Sequence, residues 1–177
     1  MMTATPRPSA RALPLTLPLP ALEATERLGR ALAALLRPGD VVALHGDLGA
    51  GKTALARALI RALPGRPGNP VSAAEEEVPS PTFTLVQIYD RDPAPVWHFD
   101  LYRIEDPAEI RELGLSEALA EGITLIEWPE RLGGRLPAGA LSVTLSYRED
   151  AGGSEGAREA RLDGAGDWPE RLAELHL

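Results

Sequence analysis

Cysteine is absent from the 177 residues, which removes disulfides, thiolate metal ligands and a thiol nucleophile from consideration. A reducing compartment suits such a chain. Asparagine, glutamine and lysine are almost absent too. Asn69, Gln87 and Lys52 are single occurrences, so of the 18 basic side chains all but Lys52 are arginine. A GC-rich coding bias accounts for all these scarcities, and rarity alone is no sign of function. Positive charge is itself in deficit: 26 acidic residues against 18 basic ones give a net charge of -8 and a pI of about 4.9. Nucleic-acid binders gain affinity by neutralising phosphates with lysine and arginine, so a nucleic-acid role would need a partner. Long apolar runs are missing as well. The stretch from Leu13 to Pro20 follows Arg7 and Arg11 in the manner of a signal peptide, but three prolines interrupt it and it is too short to span a bilayer. These absences point to a cytoplasmic protein with no membrane association.

What remains is enough for one core. At 44% hydrophobic and 25% charged, a chain this long is expected to form a single domain over residues 14–177. Residues 1–13, rich in proline, alanine and arginine without period, are expected to be a mobile extension. The organising stretch is Gly46-Asp47-Leu48-Gly49-Ala50-Gly51-Lys52-Thr53, which fits G-x-x-x-x-G-K-[ST]. Val41 to His45 before it is an apolar run suited to a strand buried on both faces. Ala54 to Leu63 behind it reads as a helix that Pro64-Gly65 stops. A glycine-rich turn between strand and helix aims backbone N–H groups inward and adds the positive end of the helix, so a polyphosphate displaces water there at little cost. Lys52 would reach the β- and γ-phosphates as a mobile point charge, and the Thr53 hydroxyl would hold Mg²⁺. The lone lysine thus stands where the planar fork of arginine cannot replace a compact ammonium.

Along the rest of the chain, Leu15 to Leu19 reads as a short strand, and Ala24, Leu28, Ala31, Leu32, Leu35 and Leu36 recur at helical spacing. Pro64 to Pro81 reads as a long surface loop, with Gly65 to Glu77 a solvated acidic insertion. Phe83 to Tyr89 and Val96 to Tyr102 are expected as strands around a turn at Asp90 to Pro93. Asp106 to Leu113 reads as a helix capped by Asp106 with Pro107 in its first position, and Ser116 to Ala120 as another. Ile123 to Glu127 is a buried strand; Leu141 to Tyr147 alternates as a half-buried one and can pair with Arg158 to Leu162. Trp168 to Leu177 is a terminal helix. Strands alternating with helices around a phosphate loop imply an α/β fold, three layers deep, with a mixed, mainly parallel sheet.

A phosphate loop needs acids for the metal and the attacking water. Glu127 ends an apolar strand, the usual setting of an acid that binds Mg²⁺ directly or through water. Asp100 shares a strand face with Val96, His98 and Tyr102, opposite Trp97, Phe99 and Leu101. It can orient water or enter the metal shell, with His98 as a support or as a hydrogen-bonded structural histidine. Ser80-Pro81-Thr82-Phe83-Thr84 is a stiffened, hydroxyl-rich loop that can order with a γ-phosphate and relax after hydrolysis, or simply favour strand geometry. No lysine outside the loop is available for an Asn-Lys-x-Asp guanine element, and no transporter-type signature is present, so ATP is favoured by elimination.

In this order and spacing, GDLGAGKT at 46–53, SPTFTLV from Ser80, HFDLYR from His98 and IEWPERL from Ile126 resemble the bacterial ATPase of tRNA threonylcarbamoyladenosine synthesis, the TsaE family. The resemblance runs from about Leu17 to Leu162. It implies a small P-loop NTPase fold and a Mg²⁺-dependent ATPase that assists a cytoplasmic complex placing threonylcarbamoyl on adenosine 37 of tRNAs reading ANN codons. The implied partner is the heterodimer of the transferase and its paralogous subunit, which holds the tRNA. By the family pattern, Leu48, Gly49, Ala50, Gly51, Lys52, Thr53 and Ala54 match the phosphate cradle, and Thr25 matches a position near the adenine. Thr53 and Glu127 match the Mg²⁺ positions, Asp100 a residue needed for hydrolysis, and Trp128 the aromatic after the acid. The 65–77 insertion is longer and more acidic than that pattern. Two other readings of the motif are a small-molecule kinase, for which the segment around Arg131 and Arg135 is the lid-like candidate, and a nucleotide-dependent binding switch.

Overall fold

The computed structural model describes residues 10–66, 76–148 and 156–177. Its elements in chain order are β1 (Leu15–Leu19), α1 (Leu22–Ala33), β2 (Val41–His45), α2 (Lys52–Ala62), β3 (Val86–Tyr89), β4 (Val96–Asp100), α3 (Leu115–Glu121), β5 (Ile123–Glu127), β6 (Leu141–Tyr147), β7 (Arg158–Asp163) and α4 (Trp168–Ala173), with single 3₁₀ segments at Glu109–Leu113 and Pro129–Leu132. The strands form one seven-stranded sheet in the order β1-β7-β6-β2-β5-β4-β3. Its centre, β6-β2-β5-β4, is parallel, and both edges pair antiparallel. The phosphate-loop strand β2 therefore sits mid-sheet, and β4 and β5, in parallel register with Asp100 opposite Glu127, end beside it.

Two apolar layers flank the sheet. On one face α1 and α2 bury Leu28, Leu32, Leu55 and Leu59 against Val42, Leu44, Val143 and Leu145, with Trp168 and Leu172 of α4 in the same cluster. Gly29 makes this possible: a Cβ there would lie 2.5 Å from the Ala58 Cβ, so the two helices approach as closely as they do only without one. On the other face Trp97, Phe99, Leu101 and Ile126 pack against Ile104, Ile110 and Leu132 from the loops and 3₁₀ segments. Burying a leucine or phenylalanine contributes about 1.5–3 kcal/mol each, and β4 and β5 are buried at every position.

Most expected elements form, several with altered ends. The strand foreseen from Phe83 begins only at Val86: the Leu85 N–H bonds the Pro81 carbonyl at 2.6 Å, Leu85 has φ 65°, and Phe83 is 86% exposed. A turn wins there because the backbone partners are local. The strand foreseen to Tyr102 stops at Asp100. The helix expected from Asp106 forms only as a 3₁₀ segment, preceded by Ala108 with no side-chain cap; Asp106 instead accepts the Ala108 N–H at 2.8 Å and Glu109 the Asp106 N–H at 3.1 Å, bracing the turn that leads into it. The terminal helix ends at Ala173. The 65–77 segment lies partly outside the described residues, and its described end is not simply solvated. Glu76 pairs with the fully buried Arg91, and the Arg61 Nε donates to the Glu76 carbonyl at 3.1 Å. Residues 1–9, most of the expected extension, are outside the described residues. Beyond them the Arg11 N–H bonds the Pro169 carbonyl at 2.8 Å, and Leu13 packs against the core.

Candidate functional site

The loop between β2 and α2 is shaped by its first glycine. Gly46 has φ +131°, and a Cβ on it would fall 2.3 Å from the Leu145 carbonyl oxygen of β6, so no other residue fits at that turn. The Ala50 N–H closes the loop on the Asp47 carbonyl at 3.1 Å, and α2 starts at once with Lys52. Lys52 is 4% exposed. Its Nζ donates to the carbonyls of Gly46 at 2.6 Å and Asp47 at 2.8 Å and lies 3.9 Å from the centroid of the Trp128 ring, which itself meets the Tyr102 ring at 4.9 Å. Burial pushes the Lys52 pKa down, opposed by the nearby Glu127 and Asp100 carboxylates. The ammonium thus rests among its own loop's carbonyls, a place from which it can swing to a polyanion.

The acids come from the paired strand ends. Glu127, 2% exposed, accepts the Thr53 hydroxyl on Oε2 at 2.9 Å, and its Oε1 lies 2.9 Å from the His98 Nε2. Asp100, 4% exposed, accepts the Thr82 hydroxyl on Oδ2 at 2.6 Å, the Ser80 hydroxyl at 3.3 Å, and the Tyr102 N–H on Oδ1 at 3.1 Å. A cleft of about 330 Å³ opens between these groups, lined by Leu48, Gly49, Gly51, Lys52, Thr53 and Ala54 from the loop and by Ser80, Thr82, Asp100, Tyr102, Glu127 and Trp128 around it. The structure therefore gathers Lys52, Thr53, Asp100 and Glu127 at one mouth. Ala50 is buried inside the loop, and Thr25, 3% exposed on α1, does not line this cleft.

No group of three or more His, Asp or Glu side chains arranged to hold a metal occurs among the described residues. A cation here would have to complete its shell from ligand oxygens and water. Mg²⁺ is bound in that manner, through one or two protein oxygens plus phosphates, and the hard-oxygen pair of Thr53 and Glu127 fits it.

Several contacts escaped the sequence. Arg158 of β7 donates Nη2 to the Gly49 carbonyl at 3.1 Å and stacks over the Tyr147 ring at 5.2 Å, so β6 and β7 brace the loop from the side away from the acids. Nothing in the local pattern of β7 marks that arginine. The Arg57 Nε donates to the Val78 carbonyl at 2.8 Å, and with Arg61 it ties α2 to the strap leading to Ser80. Their i,i+4 spacing on the loop's own helix was the available signal. Arg131 and Arg135, the lid-like pair, donate instead to the carbonyls of Ile104 at 3.2 Å and Pro107 at 2.7 Å.

Comparison with known proteins gives a consistent picture. Residues 19–158 match the family described as "Threonylcarbamoyl adenosine biosynthesis protein TsaE". A Rickettsia bellii protein named "tRNA threonylcarbamoyladenosine biosynthesis protein TsaE" is 41% identical over 128 residues, 72% of this chain and 83% of that one. The Bacillus subtilis protein of the same name is 35% identical over 153 residues, covering 86% and 87%. The crystal structure of Bacillus subtilis YdiB superposes with a TM-score of 0.68 at 28% identity, over 90% of this chain and 91% of that one. The mixed sheet with its loop-bearing central strand is accordingly a P-loop NTPase-like fold.

Proposed function

The chain belongs to the TsaE family, and on that premise we propose that it is a Mg²⁺-dependent ATPase serving threonylcarbamoyl modification of adenosine 37 in tRNAs that read ANN codons. It works in the cytoplasm as an accessory subunit, on the heterodimer of the transferase and its paralogous partner, with residues 14–177 as one working domain. The tRNA is held by that heterodimer, in keeping with the net charge of -8. The observation that carries the reading is the bond between Thr53 and Glu127, 2.9 Å long across 74 positions of chain, beside Lys52 and Asp100 in one cleft.

In this reading residues 48–54 and Lys52 bind and orient the triphosphate, with Thr25 toward the adenine. Thr53 and Glu127 would hold Mg²⁺, which when bound neutralises charge on the β- and γ-phosphate oxygens. Asp100 orients water for in-line attack on the γ-phosphorus and takes up its proton; the bond from that phosphorus to the bridging oxygen breaks, and ADP leaves. Asp100 Oδ2 is occupied by Thr82 and Ser80, so that loop must yield before water can take its place, which links loop position to turnover.

The test is ATP turnover by the chain alone and with the purified heterodimer, alongside a screen of metabolites for phosphorylation. The expected result is slow turnover alone, faster turnover in the complex and no phosphorylated metabolite. Phosphorylation of a metabolite would make the protein a kinase, a reading disfavoured by the commitment of Arg131 and Arg135 to backbone carbonyls. Nucleotide-dependent binding with no turnover in the complex would make it a switch.

A further inference from the structure

His98 is the one histidine among the fully buried polar side chains, at 0% exposed. It stands in β4 between Trp97 and Phe99, in a strand covered along its whole length. An imidazole is costly to bury unless its polar atoms are satisfied, and here one of them is: Nε2 lies 2.9 Å from Glu127 Oε1, while Nδ1 has no hydrogen-bond partner among the described residues. That asymmetry fixes the tautomer. An unprotonated Nε2 would set its lone pair against a carboxylate oxygen and bury an N–H at Nδ1 without an acceptor. The proton therefore belongs on Nε2, which donates to Glu127.

We propose that His98 is a positioning residue for the metal pair: its Nε2–H fixes the plane of the Glu127 carboxylate so that Oε2 and the Thr53 hydroxyl stand ready for Mg²⁺. This rests on the assignment of Thr53 and Glu127 to Mg²⁺ made above. The carboxylate torsion of a glutamate is broad and roughly two-fold, so β5 alone can place the carboxylate but cannot orient it. Donors on opposite sides do so here, Thr53 on Oε2 and His98 on Oε1. The parallel register puts Asp100 opposite Glu127 and His98 opposite Leu125, so the histidine reaches the glutamate from two residues back along the neighbouring strand. His98 does not line the cleft and touches no reacting atom; it acts through Glu127. Groups that orient a metal-binding side chain in this way are worth about 10–100-fold in metal affinity.

The experiment follows Mg²⁺ titrations of binding to a non-hydrolysable ATP analogue, with thermal melts as a check of folding, in the wild-type chain and in His98→Leu, His98→Asn and His98→Gln. The leucine removes the donor. The asparagine amide is one methylene too short to reach, and the glutamine amide restores the reach. The expected result is that His98→Leu and His98→Asn need about 10–100-fold more Mg²⁺ for half-maximal enhancement of binding, with unchanged affinity for the analogue in the absence of Mg²⁺, and that His98→Gln returns toward the wild-type midpoint. If the leucine variant does not fold, the asparagine and glutamine pair decides. Equal midpoints in all folded variants, against a clear Mg²⁺ dependence in the wild type, would overturn the role of His98 alone. Indifference of the wild type to Mg²⁺ would instead overturn the assignment of Thr53 and Glu127, and the role of His98 with it.

Discussion

The strands on the two sides of the phosphate loop both carry polar residues, to opposite effect. β4 and β5 are buried at every position, yet they include His98, Asp100, Thr124 and Glu127. β6 and β7 alternate, with Leu141, Val143, Leu145, Ala160 and Leu162 inward and Ser142, Thr144, Arg161 and Asp163 facing an open hollow. On the alternating side these four outward residues stay in reach of water at little cost. On the doubly covered side an unsatisfied polar group costs about 1–3 kcal/mol, so each one present needs a partner or a task. Three of the four buried ones have partners; two of these, Asp100 and Glu127, line the cleft, and His98 bonds Glu127. The lesson is that polarity marks a site only where the fold denies it solvent.

The largest loss is expected at Asp100. Its replacement by alanine is expected to leave nucleotide binding within a few-fold of wild type while kcat in the complete complex falls by about 10²–10⁴, the range lost with a general base. Single-turnover hydrolysis together with analogue binding reads both. Unaltered turnover would mean that the buried acid opposite Glu127 is there for structure only.

How far this contrast could be read in advance follows from the range of the interactions. The run before Gly46, the strand ending in Glu127, and the opposed faces of Val96 to Tyr102 are local patterns, and the structure reproduces β2 and β5 at the expected residues. The pairing of Thr53 with Glu127 and of His98 with Glu127 depends on strand order, which no local pattern encodes. Arg91 sits in what the sequence presents as a turn, yet it is fully buried because the Ile60 carbonyl at 3.1 Å and Glu76 meet it from distant parts of the chain. Arg158 is similar: only the register of β7 on β6 brings it to Gly49. Phe83 failed in the other direction, since a strand-forming residue was overruled by the Pro81 to Leu85 turn.

On the alternating side the inward positions carry the weight. Leu162, 0% exposed in the cluster under α1, is expected to cost about 2–5 kcal/mol when cut to alanine, read as a lower midpoint in urea with an unchanged slope. The Mg²⁺ dependence of analogue binding in the folded fraction should not move. A shift there would show that the two halves are not separable.

Thr124 sharpens the rule because it is the exception. It is fully buried in β5, and its hydroxyl has no hydrogen-bond partner among the described residues. Unlike Asp100 and Glu127 it lies away from the C-terminal end of its strand and does not line the cleft, and unlike His98 it bonds no residue that does. Valine has the same shape without the polar atom, so Thr124→Val should raise stability, by up to about 1–3 kcal/mol if the hydroxyl bears the full cost of an unmet group, with turnover unchanged. A clear loss of stability would mean that the hydroxyl is satisfied in solution and that burial alone is a poor guide.

The smallest effect is expected at Arg161, on the outward face of β7. Its guanidinium stands 3.6 Å from Asp163, with both side chains about half exposed at 53% and 49%. Exposed ion pairs of this kind contribute about 0–1 kcal/mol, because solvent screens the attraction and ordering two long side chains consumes most of what is left. Arg161→Ala should therefore melt within error of the wild type and turn over ATP at the wild-type rate in the complex. A fall in turnover at full stability would give the open polar face of β6 and β7 a role in meeting the partner. The alternating half would then be functional through its exposure, as β4 and β5 are proposed to be through their burial.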